Sequence, residues 1–325
     1  MRHDRTDLPP SPDGMADKLL GPPCRREFVR VLLGAAASVP FRARLSGEGS
    51  PGVMRLSEGL FLVTGAGGNA VVLNQREGVL MVNGGTRERS AELIRVVEQL
   101  TDSHRVLTLF NTDWHPEHTG SNETLGKGGT RIIAHENTKQ YLANEMFIDW
   151  ENRTYKPLPR PALPVETFYT SGRLTFGDER VEYAHLGQAH TDGDIYVFFP
   201  GPNVLVAGHV MTVGQYPMPD YVSGGWLGGL VTATKTLLDR ANADTRIVPA
   251  SGPVQTRADL QAQFDMLSAL RDRMAKMMKQ GMSAEDMLAA GVTKEFDATW
   301  GTPQLFVANC YRGMWLHVRE LGGIV

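Results

Sequence analysis

Residues 111–122 read NTDWHPEHTGSN, and Asp113, His115, Glu117 and His118 fall within six positions. Imidazole nitrogens and carboxylate oxygens are donors that zinc, iron(II) and manganese all accept, so this spacing points to a divalent cation. Seven of the nine histidines lie between positions 104 and 209. His190, in GQAHTDGD, and His209, in AGH, each follow an apolar run, as Asp113 does. A lone histidine after a strand is more often a satisfied turn residue than a ligand, and His104, His135, His185 and His317 are read that way. Ser251, in PASGP, lacks the Gly-x-Ser-x-Gly surroundings of a nucleophile elbow and is read as a turn residue.

These residues need a scaffold that brings distant strand ends together. Apolar runs predict strands at 59–64, 69–73 and 79–82, the last two joined as a hairpin. Leu93, Val96, Val97 and Leu100 recur at helical spacing, so 90–100 is predicted as a helix with one buried face. A buried strand at 106–110 carries the NTDWHPEH stretch on its C-terminal end. A strand at 131–135 and a helix at 137–144 follow, then a proline-rich surface loop at 156–165. Further strands are expected at 173–176, 181–184, 195–199, 204–207 and 247–248, with a helix at 228–241. From 257 the chain is mostly helical, and Met274, Met277, Met278 and Met282 are assigned to packing of those helices. This order suits two sheets packed face to face and covered by helices.

From about Gly59 to Pro253 the pattern resembles the metallo-β-lactamase-fold superfamily. That family carries a His-x-His-x-Asp-His motif after a strand, a lone His, a bridging Asp and a last His, each in its own turn. His115 and His118 match the second and fourth motif positions, and His190 matches the lone His. Asp113 stands where the family has its first His and Glu117 where it has Asp. His209 replaces the bridging Asp, Ser251 the last His, and Asn83 an Asp that usually buttresses the site. The resemblance implies an α/β fold, a four-layer αββα sandwich of two mixed sheets over 53–255, with 256–325 as a helical extension packed on it.

On that fold one subsite would hold Asp113, His115 and His190, and the other Glu117, His118 and His209, two imidazoles and one carboxylate each. The implied cofactor is zinc, one or two ions, with iron or manganese as alternatives. The implied chemistry is metal-assisted hydrolysis, with activated water attacking a carbonyl or phosphoryl centre of a small-molecule substrate. Glu117 is the candidate to orient or deprotonate that water. Asn83, Asp194 and Asp220 are candidates to hold ligand imidazoles through their second nitrogen. The aromatic loop 215–226, with Tyr216 and Trp226, suits a pocket wall and a packed surface loop equally. Residues 146–150 are a candidate opposite wall or lid.

Ahead of the domain, CRREFVR and the apolar stretch VLLGAAASV resemble a bacterial twin-arginine export signal over residues 1–44, which predicts a periplasmic or extracytoplasmic protein. Those residues hold 8 of the 33 Lys/Arg and 5 of the 36 Asp/Glu, which leaves the remainder at about −6 against −3 for the whole chain. Such a balance gives no basic footprint for nucleic acid. No stretch reaches the roughly 18 apolar residues of a membrane span. Of the two cysteines only Cys310 lies beyond the signal, so no intrachain disulfide is expected in the processed chain. The site departures leave two other readings open. One is a catalytically inactive or binding-only member of the fold. The other is iron redox chemistry, although the extra carboxylate of such centres occupies a different motif position.

Overall fold

The computed structural model describes residues 51–102 and 104–322, and the expected export signal lies outside them. Fourteen strands run through the described residues. The first six are β1 (Gly52–Ser57), β2 (Leu60–Thr64), β3 (Ala70–Gln75), β4 (Gly78–Val82), β5 (Val106–Phe110) and β6 (Arg131–His135). Then come the short β7 (Met146–Ile148), β8 (Arg153–Tyr155) and β9 (Glu166–Phe168). The second half supplies β10 (Ser171–Phe176), β11 (Glu179–His185), β12 (Ile195–Phe199), β13 (Val204–Gly208) and β14 (Arg246–Pro249).

They form two large mixed sheets and one hairpin. The first sheet has the order β1-β2-β3-β4-β5-β6-β9, antiparallel as far as β4 and parallel from β4 onward. The second has the order β10-β11-β12-β13-β14, with only its last pair parallel. β7 and β8 pair with each other.

Side-chain alternation explains the layers. In β3 and β4, Val71, Leu73, Leu80 and Val82 enter the core between the sheets, where they meet Val181, Val197, Phe199, Val206 and Val248 of the second sheet. Their neighbours Ala70, Val72, Val79 and Met81 point the other way, against Leu93, Val96 and Val97 of the helix Ser90–Leu100. Strands covered on both faces read as nearly continuous apolar runs, as these do. Leu205, Ala207 and Ile247 of the second sheet pack outward on the helices Leu227–Arg240, Arg257–Lys279 and Gln304–Leu316. The fold is therefore an αββα sandwich continued by C-terminal helices. Met274 and Met278 are buried in this outer core, with Met277 and Met282 packed against it. Cys310 is buried there and unpaired. Among the described residues no helix is long and apolar enough to cross a membrane.

The C-terminal ends of β4, β5, β13 and β14 come together along one edge of the sandwich. Backbone bonds stitch that edge across the two halves. Ile195 N–H donates to Thr112 O at 2.9 Å and Asn69 N–H to Ala250 O at 2.7 Å, while the bond from Ala250 N–H to Gly208 O at 2.9 Å ties the ends of β14 and β13 within the second sheet. Loops at strand ends can present polar side chains without orphaning their backbone, and the histidines sit here.

Candidate functional site

β5 ends at Phe110, and the next residues turn into the short helix Pro116–Thr119, with proline at its start where no N–H is needed. That turn aims Asp113, His115 and His118 inward, all of them buried. The turn after β11 delivers His190, and the end of β13 delivers His209. Four imidazole rings meet there. His209 lies 5.5 Å from His115, 4.3 Å from His118 and 4.5 Å from His190, measured between ring centroids. His115 and His190 are 4.6 Å apart on the same measure. Asp113, His190 and His209 each offer a possible ligand atom within 4.8 Å of the others.

The hydrogen bonds fix how each ring is turned. His190 Nδ1 donates to the Met218 carbonyl at 2.5 Å. His118 Nδ1 lies 2.9 Å from both Asp113 Oδ2 and Thr112 Oγ1. His209 Nδ1 lies 2.8 Å from the same Asp113 Oδ2. Asp113 Oδ1 accepts the backbone N–H of His115 at 2.9 Å. So Asp113, grouped with His115 and His190 in the sequence, has its side-chain contacts with the rings of His118 and His209.

Charge follows from these contacts. Burial opposes ionisation of Asp113, but the His118 and His209 imidazoles outweigh it and hold the carboxyl well below the usual range. Burial lowers His118, and burial with the His209 and His115 rings lowers His190 to about 3, so both are neutral with one N–H and one lone pair. For His209 burial works against the proton, and Asp113 outweighs it and raises the ring. His115 is raised to about 9, the burial penalty being exceeded by Asp220 and Asp113. Glu117 is partly buried, yet His209 and His115 keep its carboxyl below the ordinary value.

Among the described residues nine buried side-chain nitrogens or oxygens make no hydrogen bond, and four belong to this one cluster: Glu117 Oε2, His118 Nε2 and His190 Nε2, and also His115 Nε2, which has the Asp220 carboxylate 3.4 Å away as an ion-pair partner. Buried polar atoms left unpaired are costly, and the three on Glu117, His118 and His190 in one place call for a ligand. Lone pairs on neutral imidazoles beside a carboxylate are the donor set of a divalent transition metal, so the residues present fit such an ion.

The supporting residues divide into three groups. Asn83, at φ +66° on the end of β4, accepts from Thr112 N–H at 3.0 Å and from Thr112 Oγ1 at 3.1 Å, and so reaches His118 through Thr112. Asp194 holds the His190 turn by its backbone, accepting from His190 N–H at 2.6 Å and Thr191 N–H at 2.9 Å. Asp220 Oδ2 is 3.4 Å from His115 Nε2, while its Oδ1 accepts from Trp150 Nε1 at 3.2 Å. Tyr216 and Trp226 lie in the outer core. The Tyr216 ring stacks on Phe306 and its hydroxyl donates to Asp297 at 2.8 Å, and Trp226 stacks on His317. Ser251 is exposed.

Two participants escaped the sequence reading. Thr112 stood beside the motif but has no ligand chemistry, and the Met218 carbonyl is a backbone atom that no residue type announces. The histidines read as turn residues all have hydrogen-bond partners: Asn74 for His104, Tyr169 O for His135, Asp192 O for His185 and Glu320 for His317.

Comparison with known proteins places the fold. A metallo-beta-lactamase type 2 of Bacillus cereus is 23% identical over 200 residues, covering 61% of this chain and 72% of that protein. The structure of a metallo-beta-lactamase from Pontibacter korlensis superposes with a TM-score of 0.56 at 20% identity, over 67% of this chain and 99% of that one. A double mutant of the sec-alkyl sulfatase PisA1 gives a TM-score of 0.64 at 14% identity, over 81% of this chain and 50% of that one. At those identities the superpositions speak for the fold alone. Residues 63–252, more than half of the chain, match the family model of the metallo-beta-lactamase superfamily, and the chain belongs to that superfamily.

Proposed function

We propose that the chain is an exported metal-dependent hydrolase that binds zinc among these histidines and acts on a small molecule at a carbonyl or phosphoryl centre. The observation that carries this is the set of three unpaired buried atoms on Glu117, His118 and His190. His118, His190, His209 and Glu117 would hold the ion, with His115 beside them. A bound zinc ion supplies Lewis acidity and makes water more acidic near neutral pH. The protein supplies the rest. The Met218 carbonyl and Asp113 fix the tautomers of His190, His118 and His209. Glu117 stays ionised and is the group to orient water and take its proton. Burial around the rings keeps bulk water from competing.

Elemental analysis of untagged protein recovered from the periplasm tests the centre. Bound zinc that disappears in His118→Ala is expected. No metal as purified, and none taken up from zinc, iron or manganese, would sink the proposal. A panel of ester, lactone, lactam and phosphodiester substrates then separates hydrolysis from the binding-only alternative, which exposed Ser251 in place of the family's last histidine favours. Export rests on the CRREFVR sequence, and Arg25→Lys with Arg26→Lys should strand the protein in the cytoplasm.

A further inference from the structure

Asp113 is the residue whose contacts least resemble those of a ligand. Its carboxylate is fully buried and accepts from three donors: Oδ1 from the His115 backbone at 2.9 Å, and Oδ2 from Nδ1 of His118 at 2.9 Å and of His209 at 2.8 Å. A carboxylate offers about four lone-pair positions, two per oxygen, so Oδ2 is filled by the two rings. The Thr112 hydroxyl donates to Asn83 at 3.1 Å, which leaves its own lone pair to face His118 Nδ1 as a second acceptor. Each imidazole therefore carries a hydrogen on Nδ1, which leaves Nε2 as the nitrogen free to offer a lone pair. In His118 that Nε2 is buried without a partner.

We propose that Asp113 is not a metal ligand but the shared anchor of His118 and His209, holding both rings as Nδ1–H tautomers so that Nε2 of each faces the metal. The ligand atoms are then Nε2 of His118, His190 and His209 with the Glu117 carboxylate. This rests on the metal-centre reading above and goes further, because it names which atoms bind. The competing arrangement groups Asp113 with His190 and His209 as ligands, and ligation through Oδ2 would require that oxygen to give up an imidazole hydrogen. Asp113 is a positioning residue: it acts through the rings and touches no reacting atom.

Long-range proton–nitrogen correlation spectra of the ¹⁵N-histidine-labelled full chain read the tautomer of each ring directly, with and without zinc. Nδ1–H is expected for His118 and His209 in both states, with zinc shifting Nε2. Asp113→Ala should keep the wild-type zinc stoichiometry while affinity falls about 10–100-fold, the usual effect of losing a partner behind a ligand. His190→Ala should lower the stoichiometry itself. An Nε2–H tautomer at either ring in the zinc form, or a loss of stoichiometry in folded Asp113→Ala, overturns the assignment and leaves the metal centre standing. A wild-type chain that takes no zinc overturns both. Should Asp113→Ala fail to fold, the wild-type spectra decide alone.

Discussion

Gly208 ends β13 immediately before His209, and replacing it with alanine tests how tightly the two halves of the sandwich meet at the histidines. Its φ is +57°, and a Cβ there would lie 2.7 Å from Thr112 Oγ1 and 2.9 Å from Thr112 Cβ. Carbon settles no closer than about 3.3 Å to oxygen, so Thr112 or β13 must move by about 0.5 Å. Thr112 has little room, because Asn83 and His118 hold its hydroxyl and Asn83 its N–H. Two costs add. The left-handed backbone disfavours alanine by about 1–2 kcal/mol. Forced repacking adds about 1–3 kcal/mol. Gly281→Ala separates them, since Gly281 has φ +77° with nothing within 4 Å of its Cβ. In urea unfolding, Gly208→Ala should be less stable than wild type by about 2–5 kcal/mol and Gly281→Ala by about 1–2 kcal/mol. Zinc affinity should fall only in Gly208→Ala, where Thr112 is pushed against His118. Combining Gly208→Ala with Thr112→Ala should recover part of the packing cost as a coupling energy. Equal destabilisation by the two glycine variants, with zinc affinity unchanged in both, would refute the close approach of β13 to Thr112.

Tyr216→Phe should cost about 1 kcal/mol through the lost bond to Asp297 and leave zinc stoichiometry unchanged. Metal loss in a folded Tyr216→Phe would count against that placement in the outer core. His135 gives a pH dependence whose causes include none of the clustered residues. Burial, reinforced by the stacked His185 ring, lowers it from 6.5 to about 4. The unfolded chain binds a proton below pH 6.5 that the folded chain refuses, so this contribution is complete above that pH and is lost progressively toward pH 4. His135→Gln should flatten the fall in urea midpoint between pH 7 and pH 5, and identical slopes in both proteins would count against it.

The layers were legible in the sequence because strands buried on both faces carry their pattern in residue type: β3 reads AVVLNQ and β4 GVLMV. Short or exposed strands leave no such trace. β7, β8 and β9 have three residues each, and β1 is exposed at four of its six positions. Aromatic type was equally uninformative, since Tyr216 and Trp226 would read the same in a pocket wall as in the outer core where they lie. The site was legible as a cluster but not as a set of atoms. Spacing fixes where a histidine falls along the chain, not which ring nitrogen is spent on a hydrogen bond, and here Thr112 and the Met218 carbonyl share in that choice with Asp113. Two of the departures from the family motif then make sense as one change. An imidazole at 209 brings a second N–H that must be accepted inside a buried cluster. A histidine at 113 could meet it only with a neutral ring and one lone pair, already wanted by His118. A carboxylate at 113 accepts both N–H groups on one oxygen and keeps the other for the His115 backbone. Asp113 and His209 are on this reasoning a matched pair, and restoring histidine at 113 alone should weaken the site rather than repair it.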